Sequence, residues 1–148
     1  MWNDQKSLVL SRVSVGIFSV LYVLVLLTCP VLVRSFIAFR EMNPGMAVYF
    51  MASIYSCALP AGKLLWDLHR FLKNISQDLV FIDQNVALLR SISWCCIAAG
   101  IICLFSCTYY MIYFFLAVAA AFIGLITRVI KNVFRQAVCI KAENDFTI

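Results

Sequence analysis

Charge is scarce in this 148-residue sequence, and three long stretches have none at all. No Asp, Glu, Lys or Arg occurs between Arg12 and Arg34, between Glu41 and Lys63, or between Arg90 and Arg128. An ionisable group inside such a stretch would be expensive in lipid and is usually functional; its absence argues against a proton-coupled transporter or a charged ion path. Histidine occurs once, as His69, and none of the seven cysteines has a C-x-x-C or histidine-paired spacing. A zinc site of ordinary make-up is therefore not expected. There is no glycine-rich phosphate loop and no nucleophile–base pair, so neither an enzyme nor a cofactor is expected. The apolar runs lack the period-2 alternation of barrel strands.

Apolar residues make up 64% of the chain, against roughly 45–50% in a soluble domain, and the mean hydropathy is +0.96. A fold this small leaves too much surface exposed to hide that content from water. Lipid is the solvent that suits it. The charge-free runs are Val13 to Val33, Met42 to Gly62 and Ser91 to Thr127, of 21, 21 and 37 residues. About 20 residues cross the hydrocarbon core, so the third run reads as a helical hairpin turning near Thr108-Tyr109-Tyr110. The expected fold is all-α: an integral membrane protein with four transmembrane helices, the second and fourth extended into the cytoplasm. The spans cover about 11–33, 46–66, 90–108 and 111–133, with a cytoplasmic helical connection at about 67–89 and a tail at about 134–148. The first span reads as a retained helix, too long for a signal-peptide core. Leu27-Thr28-Cys29 lacks the small residue a lipoprotein box needs before its cysteine.

Four spans put Lys6, Arg12, Lys63, Arg70, Lys73, Arg90, Arg128, Lys131, Arg135 and Lys141 on one side, and only Arg34 and Arg40 on the other. The positive-inside rule then makes both termini cytoplasmic. The net charge of +5 does not point to direct nucleic-acid binding, because the basic residues border apolar runs instead of forming a stripe with interleaved aromatics.

Between the second and third spans, Leu64, Leu68, Phe71 or Leu72, Ile75, Leu79, Ile82, Val86 and Leu89 recur at helical steps. The second helix is expected to reach about Asn74 and to break near Ser76-Gln77-Asp78, with Ser76 or Asp83 capping a helix start. The fourth helix overshoots on Ile126, Ile130, Val133, Phe134, Ala137 and Val138, and the two overshooting helices should pack together.

Phe81-Ile82-Asp83-Gln84-Asn85-Val86-Ala87-Leu88-Leu89-Arg90-Ser91-Ile92 resembles the Phe-x-x-x-Asn-Val-x-x-Leu-Arg-x-Ile stretch of the bacterial domain-of-unknown-function 2975 membrane proteins. Lys141-Ala142-Glu143-Asn144-Asp145-Phe146-Thr147-Ile148 is similar to that family's ending, and Pro60 ahead of Leu64-Leu65-Trp66-Asp67-Leu68 fits its second helix. Ile82 departs from the family's small polar residue, and Phe146 from its leucine. The resemblance implies a four-helix bacterial inner-membrane protein without an established activity. It further implies an association with small helix-turn-helix regulators, and so a signalling or regulator-tethering role for the cytoplasmic helices and tail.

The candidate partner-binding or structural residues of that cytoplasmic face are Phe81, Asn85, Arg90, Arg128, Arg135, Glu143, Asn144 and Asp145. Folding of the acidic tail back onto Arg90, Arg128 or Arg135 is one arrangement; its capture by a partner is another. Arg128, Lys131 and Arg135 read otherwise as contacts to anionic headgroups. Cys96, Gly100, Cys103 and Cys107 share one face of the third helix, and on the fourth Ala117, Ala120, Ala121 and Gly124 form small-x-x-x-small pairs; the cysteines read as small packing residues. Redox sensing or lipid modification at Cys95-Cys96 is the sharper alternative. Pro60 reads as a static kink before a hinge, and His69 as a solvated interfacial residue before a pH sensor. Tyr109, Tyr110 and Tyr113 are expected at a membrane–water boundary. Homo-oligomerisation fits four short helices. Two rival functions remain: an immunity or stress protein meeting membrane-active peptides through Ser35 to Gly45 and the tyrosine hairpin, and a small transporter or channel subunit.

Overall fold

The computed structural model describes residues 4–145, with side chains from 8 to 144. The ending Phe146-Thr147-Ile148 and the side chains of Lys6 and Asp145 lie outside the described residues. Four helices follow one another: α1 (Asp4–Phe39), α2 (Met46–Ile75), α3 (Asp83–Ser106) and α4 (Ile112–Asp145). Each contains a window long and apolar enough to cross a membrane. At 1.5 Å per residue α1 and α4 are each about 50 Å long, well beyond a hydrocarbon core of about 30 Å.

Consecutive helices are antiparallel neighbours, and α3 sits in the middle, between α2 and α4. It is the most buried of the four, holding Leu88, Leu89, Ile92, Ser93, Cys95, Cys96, Gly100 and Cys103 away from the surface. The outer helices show a narrower inward seam. In α4 the half-buried or buried residues are Tyr113, Ala117, Ala120, Gly124, Thr127, Lys131, Phe134 and Val138, joined only by Ala137. Their steps alternate between four and three, the 3.5-residue period of left-handed helix packing. Val15, Ser19, Tyr22, Leu26, Cys29 and Val33 repeat that rhythm along α1. Between Val13 and Leu32 the other residues of α1 are mostly apolar and exposed, as on a helix bathed in lipid.

α1 packs on α2; at one end Cys29, Val33 and Ile37 form a buried apolar cluster with Phe50 and the tyrosines that follow α3, and further along polar side chains hold it. Tyr22 donates to the Ala58 carbonyl at 2.9 Å. Pro30 lies inside α1 and has no N–H to give the Leu26 carbonyl. The Tyr55 hydroxyl of α2 donates to that same carbonyl at 3.3 Å. Such substitutes are how a membrane helix tolerates proline. α2 also runs on through Pro60 as a single helix.

Both long-helix turns end in a Schellman arrangement. After α1, Glu41 adopts φ 51, its N–H reaches Ala38, and the Met42 N–H reaches Ile37 at 3.1 Å. After α2, Asp78 adopts φ 58, its N–H reaches Ile75, and the Leu79 N–H reaches Asn74 at 3.1 Å. Glycine is the usual occupant of that left-handed position; here it is acidic twice. The break expected at Ser76-Gln77-Asp78 is therefore present, but the expected caps are not. α3 starts at Asp83 with Ile82 at its N-cap and no side-chain cap bond, and Ser76 closes α2, its hydroxyl donating to the Lys73 carbonyl at 2.8 Å.

At the opposite end α3 and α4 turn over at residues 107–111, as the tyrosine hairpin predicts. The tyrosines turn inward more than expected. Tyr109, Tyr110 and Tyr113 surround the buried Phe50 ring, with centroids 5.4, 5.3 and 6.1 Å away. Beneath them the Ser53 hydroxyl bonds both the Tyr109 hydroxyl and, at 2.6 Å, Ser106 of α3. One turn deeper, the Cys57 and Cys103 sulfurs lie 3.9 Å apart.

Candidate functional site

The end of the bundle opposite the tyrosines carries Arg12, Lys63, Arg70, Lys73, Arg90, Arg128, Lys131, Arg135 and Lys141. Its organiser is Asn85, the residue at the start of α3 that is fully buried. The Asn85 amide donates to the Leu79 and Val80 carbonyls at 2.7 and 2.8 Å. Its oxygen accepts from the Asn74 amide of α2 at 2.8 Å. A buried amide with all of these partners fixes the chain that leaves α2 and enters α3. Arg12 of α1 joins in, donating to the Ser76 hydroxyl at 2.7 Å.

The ordered connection places Phe81 beside α4. Its ring lies 5.9 Å from Phe134, which lies 5.9 Å from Phe71 of α2. The overshooting parts of α2 and α4 touch at this one ring contact, Phe71 with Phe134, and do not pack helix against helix as expected. Phe81 still leaves 44% of its surface exposed.

Two turns back along α2 from Asn74, Asp67 is buried at 4% exposure. Lys63, one turn earlier on α2, reaches it at 3.0 Å and also donates to the Ser91 hydroxyl of α3 at 2.7 Å. The lysine stem thus runs towards the basic end while its ammonium neutralises a carboxylate removed from water. On the α3–α4 side the Ser93 hydroxyl donates to the Gly124 carbonyl at 2.9 Å. The Arg128 guanidinium sits 5.7 Å from the ring centre of Trp94.

The eight residues singled out by sequence therefore divide. Phe81, Arg90, Arg135, Glu143 and Asn144 are exposed, Arg128 is exposed and stacked on Trp94, and Asn85 is interior. Asp145 is helical in backbone. The side chain of Asp145, one of the two acidic groups expected to fold back onto the arginines, lies outside the described residues. α4 continues to Asp145, so Glu143 lies eight residues, about 12 Å along the axis, beyond Arg135. Among the described residues the ion pair present is Lys63–Asp67. Cys139 to Asn144 are exposed without exception.

Sequence reasoning missed Asn74, Lys63, Asp67, Ser91 and Trp94. Two asparagines bracketing a helix break, Asn74 and Asn85, were the available signal. No group of three or more His, Cys, Asp or Glu among the described residues could hold a metal ion.

Four apolar helices, each able to span lipid, define a multi-pass α-helical membrane protein. Its basic end is built around an asparagine clamp and an aromatic row. The chain belongs to the family described as protein of unknown function (DUF2975), whose sequence model matches residues 3–148. No curated protein and no solved structure matches it significantly.

Proposed function

We propose that the protein is a non-enzymatic regulator of the bacterial inner membrane that holds a soluble partner with its basic end. Both termini face the cytoplasm in this reading, which the concentration of lysine and arginine at that end supports. The observation that carries it is the last part of α4. From Cys139 to Asn144 the helix is exposed on every face, and Ile140 leaves 61% of its surface uncovered. A helical end without burial is marginal in water, and docking on a partner would complete it. Phe81, Arg135 and Glu143 flank or belong to this projection, and a helix-turn-helix regulator is the partner the family resemblance suggests.

The test is site-specific photocrosslinking in native membranes, with the photoreactive residue at Ile140, at Phe81 and, as a control, at the opposite end at Phe39. A discrete adduct to one soluble protein from Ile140 and Phe81 is expected, and none from Phe39. Ending the chain after Val138 should remove the Phe81 adduct while leaving thermal unfolding unchanged. Equal labelling from all three positions, or no adduct from a correctly inserted chain, rejects the proposal.

A further inference from the structure

We propose that the outer groove between α3 and α4 is a binding site for one anionic phospholipid, with its acyl chain in the groove and its phosphate on Arg128. The groove has a volume of about 400 Å³ and its lining is almost wholly apolar. Its floor is low because Gly100, Ala117, Ala121 and Gly124 bring the two backbones close; a Cβ on Gly100 would lie 3.4 Å from the Ala117 carbonyl oxygen. Ile101, Leu104 and Leu125 form the walls. Along α4 the groove runs from Ala117 to Arg128, about 16 Å at 1.5 Å per residue. That is close to half of the hydrocarbon core of about 30 Å, the depth of one leaflet.

Apolar lining alone would not select a lipid, because lipid gives an acyl chain no hydrophobic reason to leave its neighbours. The selective element is the cation at one end only. Arg128 lines the groove at its basic end, and the Trp94 ring beneath holds its guanidinium in place. Among the described residues Arg128 has no carboxylate within ion-pair distance. Its planar fork of donors suits a phosphate. Trp94 is itself 57% exposed, in keeping with an indole at headgroup level. This site stands apart from the partner face proposed above, and either can fail without the other.

The test uses the full-length protein in nanodiscs of phosphatidylcholine containing phosphatidylglycerol with a photoactivatable acyl chain. Peptide mapping should place the adducts on Ile101, Leu104, Val118 and Leu125, in preference to the lipid-facing Val20 and Leu24 of α1. Arg128→Gln should lower groove labelling about fivefold, the loss expected for one basic residue at an anionic surface. Ala121→Leu, which fills the groove from its exposed side, should lower it without changing the melting temperature. A phosphatidylcholine probe should label at the level left by Arg128→Gln. Labelling spread evenly over α1 and the groove, or insensitive to Arg128→Gln in a folded protein, overturns the proposal. So does copy-to-copy crosslinking through a cysteine at Val118, which would make the occupant a second chain.

Discussion

Tyr22 and Gly62 occupy one space: a Cβ built on Gly62 would stand 2.8 Å from the Tyr22 hydroxyl oxygen, and that hydroxyl donates to Ala58 at 2.9 Å. The apolar cluster of Cys29, Val33 and Ile37 holds one end of α1 and Arg12 the other, so this contact anchors its middle. Gly62→Ala should push the tyrosine away and break the bond, destabilising the fold by about 1 kcal/mol, near the scale of interhelical hydrogen bonds in membranes. Tyr22→Phe should cost about as much. The double variant should lose little more than either single one, because both remove the same interaction. Unfolding of the four proteins in detergent measures the cycle; strict additivity would show that the two residues do not act together.

Asn85 offers a larger effect. Replacing it with alanine removes three hydrogen bonds and leaves the Asn74 amide and two backbone carbonyls without their partner. Each such buried orphan costs about 1–3 kcal/mol, moderated here by water reaching the connection. Asn85→Ala should therefore lower stability by about 2–4 kcal/mol and open residues 76–82 to limited proteolysis. Cleavage unchanged from the parent protein would show that the Schellman turn at Asp78 holds the connection unaided.

That turn has a milder prediction of its own. Asp78 holds φ 58, a conformation that glycine adopts without the steric penalty of a Cβ. Asp78→Gly should raise the free energy of unfolding by at most about 1 kcal/mol, since the freer unfolded chain offsets part of the gain. A clear fall in stability would mean that the Asp78 side chain contributes more than its backbone strain removes.

Much of the fold was legible because lipid imposes one rule on every residue of a span. The charge-free runs marked all four helices, and the small residues of α3 and α4 were readable as packing positions, though not as each other's partners. Ser76-Gln77-Asp78 was legible as a break through its polar composition. Its caps were not, since a Schellman turn with Glu41 or Asp78 in the glycine position leaves no glycine to notice. Nor was Pro30 visible as an anchor: the carbonyl it frees is answered by Tyr55, twenty-five residues on. The candidate face was only partly readable for the same reason. Arg135 can be assigned to a surface from helical periodicity, but Phe81 lies in the connection outside any helix, and whether Asn85 faces outward or clamps the connection depends on where Asn74 and the Leu79 carbonyl lie in space.

Gly124 tests the close approach of α3 and α4. A Cβ there would meet the Cys96 Cβ at 3.2 Å, Ile97 Cγ1 at 3.4 Å and the Ser93 carbonyl oxygen at 3.4 Å. Backbone and Cβ atoms cannot swing aside, so the helices must separate and the Ser93–Gly124 bond must lengthen. Gly124→Leu should destabilise by about 2–3 kcal/mol, as overpacking in a tight core does, and should loosen the outer groove with it. At Gly100 the first contact is 3.4 Å and the next 3.6 Å, ordinary van der Waals spacing, so Gly100→Ala should be nearly neutral. Equal losses at the two positions would show that general helix distortion, not this particular contact, sets the spacing of α3 and α4.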